Sequence, residues 1–455
     1  MRAGRPTLTE DFDLRAAAED VRGHLTVLTR EIGVRLAGSA GEWRAAEYVA
    51  QQFAARGAAV TVEAFPVRER AVESESLGIR IGDAWHGFPC SLLSNAPGTG
   101  GDIVEAPLAV IDAATGYQRE DLSRLSGKAV LHLGSHIETA DHYRRLMEAR
   151  PAFLLFVDVR YPAHAVTADG MFPAYVHAHG AVPTASVAYQ DAWDWCARGA
   201  AAARLRVAGG MRDSESQNVV GDLPGSDPGA GVIFVGAHHD TQADSVGADD
   251  NGTGVAALIL LAGALGQTRR RRTIRLVSFG TEEQLSVGSA QYVRRHRAEI
   301  AARGRFMFNF DAFGSVLGWS YLVCSGPEGV PEPFVRQFRA ADEYVGIVRD
   351  LIPYADHFPF VAAGLPAAWL GRNNCTAGRF FHHRPDDDLS RVSCDLVARM
   401  TTAAGRAIAE LADVEPWPFA DGGEAENRRA EVGAMWNDLF GGWAGFDRGE
   451  RRRPA

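Results

Sequence analysis

The sequence predicts an α/β protein built around a sheet that is buried on both faces. Two observations carry this prediction. From Asn218 onward, near-continuous apolar runs recur, namely GVIFVGAH, TIRLVSFG, RFMFNFD, SYLVCSG and PAAWLG. Strands covered on both faces need such runs. The runs alternate with helical segments, GTGVAALILLAGALG, GSAQYVRRHRAEIAARG, PEPFVRQFRAADEYVG and DLVARMTTAAGRAIAELA. That alternation gives a three-layer α/β/α sandwich around a mixed, mainly parallel sheet.

The chain ahead of this region divides in two. Leu25, Leu28, Ile32 and Leu36 follow helical spacing, and a second amphipathic helix is expected over Glu42 to Arg56, stopped by Gly57. LAGSAG between them reads as a turn, and Val60, Val62 and Phe65 alternate as in a strand. From about Ser76 to Val207 short apolar runs (LAVID, AVLHLG, FLLFVD, TASVAY, ARLRV) are separated by Gly, Pro and Asp, with one convincing helix near ADHYRRLMEA. This predicts a small, mostly β insertion. The expected organisation is a body formed by residues 1–75 and 208–415, an insertion over 76–207, and a tail over 416–455. In the tail, Val432, Met435, Trp436, Leu439, Phe440 and Trp443 form a helical apolar stripe. It predicts a helix docked on the body or on a sister subunit. Glu431, Asp438 and the scarcity of nearby basic residues oppose a membrane-surface role.

Bulk properties exclude several function classes. A chain of 455 residues suggests two to three domains. A net charge of -10 argues against a nucleic-acid partner. No run approaches the roughly 18 apolar residues of a membrane span, and the first twenty residues lack the apolar core of a secretory signal. The five cysteines (Cys90, Cys196, Cys324, Cys375, Cys394) are scattered without CxxC spacing, as expected of reduced thiols rather than disulfides or a structural zinc site. Together these features predict a cytoplasmic protein.

Four strand ends carry the chemistry. They are VIFVGAHHDTQADSVGADDNGTG with His238, His239, Asp240, Asp249 and Asp250; VSFGTEEQ with Glu282 and Glu283; FNFDAFG with Asp311; and FFHHRPDDD with His382 and His383. Each alone has an ordinary explanation as a turn, a cap or a solvated pair. Their co-occurrence after apolar strands puts all of them at the carboxyl edge of one sheet, where open α/β folds bind ligands. Carboxylates concentrated there repel one another unless cations neutralise them. Nitrogen and oxygen donors without cysteine suit zinc in a catalytic role. Two metals need a bridging carboxylate and a base, and in a Glu–Glu pair one side chain can bind metal while the other takes the proton.

GAHHD, GADDNGTG, FGTEEQ, NFD, ADHFPFVAAGLPAAW and FHHRPDDDL occur in the order and spacing of the M28 family of metallopeptidases, which this chain resembles over about Arg22–Phe65 and Asn218–Leu411. LSGKAVLH, AVPTASVAY and QNVVGDLPG in the middle segment resemble the protease-associated domain often inserted in that family. The resemblance implies the zinc exopeptidase type of sandwich with two Zn2+ or other divalent ions. His238 and Asp311 are then expected on one ion, Glu283 and His383 on the other, and Asp250 between them. Glu282 becomes the general base, and Asp240 the carboxylate that orients His238. Asp356 and His357 match a motif near the substrate pocket. Asp249, His239, Asp386 and Asp387 are read as structural. His382 departs from the family pattern, which usually places a tyrosine there to stabilise the oxyanion. The implied activity is aminopeptidase action on peptides, with a homo-oligomer possible. The alternatives are a glutamate carboxypeptidase-like peptidase, a glutaminyl cyclase-like acyl transferase with one zinc, and an inactive binding protein on the same scaffold. The complete ligand set argues against the last two.

Overall fold

The structure, a computed structural model, describes residues 14–161, 163–375, 378–419 and 426–445. Its strands are β1 (Ala59–Ile81), β2 (Ala84–Phe88), β3 (Ser91–Leu92), β4 (Val104–Asp112), β5 (Ala129–Leu133), β6 (Phe153–Val157), β7 (Thr184–Val187), β8 (Ala202–Leu223), β9 (Val232–His238), β10 (Thr273–Phe279), β11 (Gly304–Phe310), β12 (Trp319–Ser325), β13 (Val345–Val348) and β14 (Ala367–Asn373). Its helices are α1 (Leu14–Thr26), α2 (Ala40–Ala55), α3 (Ala140–Glu148), α4 (Pro173–His179), α5 (Tyr189–Ala197), α6 (Gly254–Gly266), α7 (Val287–Arg295), α8 (Arg297–Arg303), α9 (Glu332–Ala340), α10 (His357–Ala362), α11 (Cys394–Asp413) and α12 (Glu426–Phe440).

The body is the expected α/β/α sandwich. Its sheet runs β13-β12-β14-β11-β9-β10-β8-β1, with β9 parallel to both β10 and β11, and β11 parallel to β14. Antiparallel pairs β12/β14, β10/β8 and β8/β1 flank that parallel centre. The strand period decides which side chains face which helices. Ile233, Val235 and Ala237 of β9 pack with α1, α2, α6, α9 and α11. Val232 and Phe234 of the same strand face the other layer, with Tyr292 of α7, Phe360 of α10 and Trp436 of α12. Both faces are dry, which is why these strands read as continuous apolar runs.

β1 and β8 form one long hairpin that leaves this sheet and carries the insertion. Ala59–Phe65 pair with Asp222–Ser216 in the body, while Ser74–Arg80 pair with Ala208–Ala202 beyond a bulge between Val72 and Ser74. Gly209 is opposite that bulge, at φ +89, where an added Cβ would lie 2.3 Å from the Ala71 carbonyl oxygen. Only glycine allows the two backbones to approach so closely there. The expected boundaries at 75/76 and 207/208 fall inside these two strands, just past the bulge, with Glu75 opposite Val207 and Ser76 opposite Arg206. β4 then pairs with the far end of β8 and starts a second sheet, β4-β5-β6-β7-β3.

The structure corrects three sequence expectations. The insertion is mixed α/β rather than mostly β, because α4 and α5 accompany α3. These helices of seven and nine residues are too short to display a clear 3.6-residue period. The helical stretch ending in DEYVG stops at Ala340, and β13 follows as an edge strand of only four residues. Leu36 lies past the first helix, whose continuation ends at Ile32 before Gly33, and bridges to Thr241 instead.

The tail helix docks on the body, and the membrane-surface alternative fails because its stripe is covered. Val432, Trp436, Leu439 and Phe440 are buried. Phe440 stacks on Phe358 of α10, and Asp438 accepts a 2.6 Å hydrogen bond from the Tyr175 hydroxyl of α4. α12 therefore clamps the insertion to the body. Among the described residues no helix is long and apolar enough to cross a membrane.

Candidate metal centre

Three adjacent parallel strands end at the same edge, and the chemistry-bearing side chains leave from those ends. β9 delivers His238 and then Asp240; β10 delivers Glu282 and Glu283 after Gly280–Thr281; β11 delivers Asp311. The loop before α6 adds Asp250, and residues 378–388 add His382 and His383. Asp250 lies at the middle of the group. His238 Nε2 is 3.2 Å from Asp250 Oδ1, 3.7 Å from Asp311 Oδ1 and 3.8 Å from Glu282 Oε2. On the other side, His383 Nε2 is 3.8 Å from Asp250 Oδ2 and 2.7 Å from Glu283 Oε2. The structure thus gathers His238, Asp250, Glu283, Asp311 and His383 in one cluster, with Glu282 at its edge.

The electrostatics are those of a group of acids lacking enough cations. Burial would depress the His238 ring, but the carboxylates of Glu282, Asp240, Asp250 and Asp311 push it well above its usual value. Burial and neighbouring acids push Glu282 and Glu283 well up. Asp250 is held well down against its burial by the Arg379 guanidinium and by His238. His238 Nε2 and Asp250 Oδ2 are buried without an aligned hydrogen-bond partner despite their close contacts. Buried polar atoms are normally satisfied, so unpaired nitrogen and oxygen atoms aimed at a common point fit metal ligation. His238, Asp250 and Glu283 bring ligand atoms within 4.8 Å of one another, and so do Asp250, His382 and His383. Nitrogen and oxygen donors without a thiolate suit zinc.

Carboxylates behind the cluster fix its backbone. Asp240, fully buried, accepts from the Glu282 amide at 2.9 Å and the Glu283 amide at 3.2 Å, and its Oδ1 lies 3.4 Å from His238 Nδ1. It therefore holds the glutamate turn and lies against the His238 ring. Thr281, Leu285 and Ser286 in that turn all adopt positive φ, a left-handed conformation that the surrounding bonds must hold in place. Glu42 of α2 helps by accepting from the Thr281 amide and hydroxyl, the Ser216 hydroxyl and the Gly38 amide. Burial and Asp240 push its pKa up to about 8 against those donors. Asp387 accepts from the amides of Asp249 and Asp250 at 2.8 and 2.9 Å, and Asp249 accepts from the Gly314 amide and the Ser315 hydroxyl. Asp249 and Asp387 are thus structural, as expected, and what they position is Asp250. His239 points away from the cluster, its Nδ1 2.9 Å from the Ser278 hydroxyl. Asp386 pairs with Arg384.

His382 stacks on His383 with ring centroids 3.3 Å apart and sets its Nε2 3.2 Å from Asp250 Oδ2. Burial, with His383 and Arg379 beside it, keeps the ring well below its usual pKa. Its imidazole faces the cluster.

A cavity of about 510 Å³ opens over these residues. Asp250, Glu282, Glu283, Asp311, His382 and His383 form its floor; Trp319, Tyr321, Ile347 and Val348 form an apolar wall; and Arg160, Tyr161, Asp169 and Phe172 close it from the insertion. Asp356 and His357 do not line it. Both are buried at the start of α10, Asp356 pushed up to about 7 and His357 down to about 3 by burial. His357 stacks on Trp369, which is the lining residue.

Sequence reasoning missed Arg379, whose Nη1 reaches Asp311 Oδ1 at 2.8 Å and Asp250 Oδ2 at 3.4 Å. Its one available signal was position, four residues ahead of His383 in the same loop. The insertion residues of the cavity wall carry no signal of their own, because they approach the site only through the tertiary fold.

Comparison with known proteins agrees with this geometry. The family model for peptidase family M28 matches residues 218–408. Aminopeptidase YwaD of Bacillus subtilis is 24% identical over 418 residues, 89% of this chain and 87% of that protein. An M28 peptidase precursor from Shewanella amazonensis superposes with a TM-score of 0.72 at 19% identity, covering 90% of this chain and all of that one. A zinc aminopeptidase from Bacillus subtilis superposes with a TM-score of 0.69 at 20% identity, covering 90% and 98%. With these motifs folded into one buried cluster of histidines and carboxylates, residues 218–408 carry the match to peptidase family M28 that identifies a metallopeptidase.

Proposed function

We propose that the chain is a di-zinc aminopeptidase that releases N-terminal residues from peptides. The observation that carries this reading is the convergence of His238, Asp250, Glu283, Asp311 and His383 about one central carboxylate. Similarity to Aminopeptidase YwaD over most of both chains supports the amino-terminal direction. In this assignment His238 and Asp311 would hold one ion and Glu283 and His383 the other, with Asp250 available to both. Zinc bound there supplies a Lewis acid for the scissile carbonyl and lowers the pKa of water into the neutral range.

The chain's own residues do the rest. Glu282 takes the proton from the attacking water and passes it to the leaving amine. Ser286 donates to Glu282 Oε1 at 3.0 Å, which fixes the carboxylate and leaves Oε2 turned toward the cluster. Burial raises its proton affinity, which suits a general base. Asp240 keeps His238 and the glutamate turn in register. His382 presents an imidazole at the cluster, where an N–H can donate to the oxyanion in place of the tyrosine hydroxyl. The acids of the floor suit a free α-ammonium, and the apolar wall suits a bulky side chain.

Four outcomes test this reading. Metal analysis of reconstituted protein should approach two zinc ions per chain, and chelation should abolish turnover until zinc is restored; a plateau at one ion contradicts the pair. Glu282→Gln should lower kcat by about 10²–10⁴-fold while keeping its metal; loss of metal with activity would make Glu282 a ligand instead. His382→Ala should lower kcat by about 10²-fold, the size typical of a lost oxyanion donor, and His382→Tyr should recover much of it. Unchanged turnover in the alanine variant removes His382 from the mechanism. Peptides with a free amine should be cleaved and their N-acetylated forms spared; equal cleavage of both would exclude an aminopeptidase.

A further inference from the structure

The insertion contributes a fixed guanidinium to the cavity that the chemistry above does not use. β6 ends at Val157, and the turn after it carries Asp158, Arg160 and Tyr161. Asp158 holds Arg160 in a fork. Arg160 Nε donates to Asp158 Oδ1 at 3.0 Å, Nη2 donates to Oδ2 at 2.7 Å, and the Arg160 backbone amide donates to Oδ1 at 2.9 Å. The guanidinium also lies 5.2 Å from the centre of the Tyr161 ring. This leaves Nη1 outside the fork, on a side chain that remains 39% exposed while Asp158 is 8% exposed.

Charge makes this placement informative. Asp169, Asp250, Glu282, Glu283 and Asp311 line the same cavity. Arg379, its other lining arginine, is committed to Asp311 and Asp250. Arg160 is therefore the one lining guanidinium, among the described residues, that stands apart from the acids of the metal centre. An ion pair between residues two apart, with one partner this exposed, contributes little to stability. Orientation of a forked, preorganised arginine is instead what recognition of a carboxylate needs. The cavity is of a size for small ligands, and an extended peptide advances only about 3.3–3.6 Å per residue. A short peptide held at the acidic floor thus lies in the same cavity as Arg160 on the insertion wall.

We propose that Arg160 binds the α-carboxylate of short peptides, so that this enzyme acts preferentially on di- and tripeptides with free C-termini. The proposal rests on the aminopeptidase reading: the acidic floor receives the ammonium end and the insertion reads the opposite end. A long or amidated chain brings no carboxylate there for Arg160 Nη1.

The test compares the zinc-loaded full chain on a leucyl dipeptide with a free carboxylate and on the same dipeptide amidated. Wild type should favour the acid by about ten-fold to a hundred-fold in kcat/KM, the worth of a hydrogen bond to a charged group. Arg160→Gln should bring that ratio to about one, and Arg160→Lys should fall between. A ratio of one in wild type overturns the proposal. So does an Arg160→Gln enzyme that loses activity on both peptides equally and keeps the ratio, because a purely structural role predicts that. An amidated peptide with glutamate in second place that is cleaved as well as the free acid would also overturn it, by showing that a side-chain carboxylate suffices. Calorimetric binding of the same peptides to Glu282→Gln protein, with and without Arg160→Gln, reads the discrimination without turnover. A chain that binds the acid selectively through Arg160 but hydrolyses neither peptide would sink the aminopeptidase reading and leave the carboxylate site standing.

Discussion

The carboxylates of Asp240, Asp250, Glu282, Glu283 and Asp311 are all buried at one end of three adjacent strands, and much of the surrounding fold serves to keep them there. Two like charges 4 Å apart repel by about 4 kcal/mol at an effective dielectric of 20. Several such pairs together would outweigh the whole net stability of an ordinary domain. The chain answers with positive charge and fixed dipoles. Arg379 reaches Asp250 and Asp311, His238 stands between four carboxylates, and backbone amides point at Asp240 and Asp387. Those partners are not enough for Glu282 and Glu283, which burial and their neighbours still push well up. Bound divalent cations would remove the conflict, so the same arrangement that makes the site costly to fold suits it to trapping cations.

The scaffold behind the acids explains why so much distant sequence is needed. Arg35, fully buried, donates to the carbonyls of His239, Val246 and Gly247, tying the loop that carries Asp250 to the segment after α1. Glu42 ties α2 and β8 to the Thr281 turn through its bonds to Thr281 and Ser216. Burial pulls the Arg35 pKa down to about 10, yet the guanidinium stays charged because carbonyls and the nearby acids surround it. The amino-terminal helices therefore belong to the catalytic unit, and not only as a covering for one sheet face.

How much of this is legible in the sequence follows from how local each signal is. His238, Asp250, Glu283, Asp311 and His383 can be found because each sits a few residues beyond an apolar run or inside a recognisable motif, and the parallel strands then bring them together. The α/β/α body is legible for the same reason: two-faced burial of β9, β10 and β11 leaves an unbroken apolar pattern. What escapes is whatever depends on a third element. β13 is an edge strand with Gly346 and Ile347 largely exposed, so it has no buried period to display. α4 and α5 are too short to show one. The middles of β1 and β8, residues 70–76 and 208–215, contain no buried residue and so show no strand period, and only their pairing with each other makes them strands. Asp356 and His357 lie in a family motif, but motif position does not distinguish a cavity wall from the layer beneath it.

The insertion is coupled to the metal centre by backbone as well as by shape. The amide of Ala168 donates to the carbonyl of His383 at 3.1 Å, and His383 itself adopts φ +56. A loop strand of the insertion thus supports a histidine of the cluster in a backbone conformation that few side chains favour. On the far side of the cavity, the Tyr354 hydroxyl meets His136 Nε2 at 3.2 Å and its ring stacks on Phe172, while α12 packs against both α4 and α10. These contacts grip the insertion at two places, one at the floor and one at the rim. An element held at both ends cannot swing as a free lid without breaking either the bond to His383 or the Tyr354 contacts at the rim. The insertion wall of the cavity is accordingly held by the same contacts that hold His383 in place.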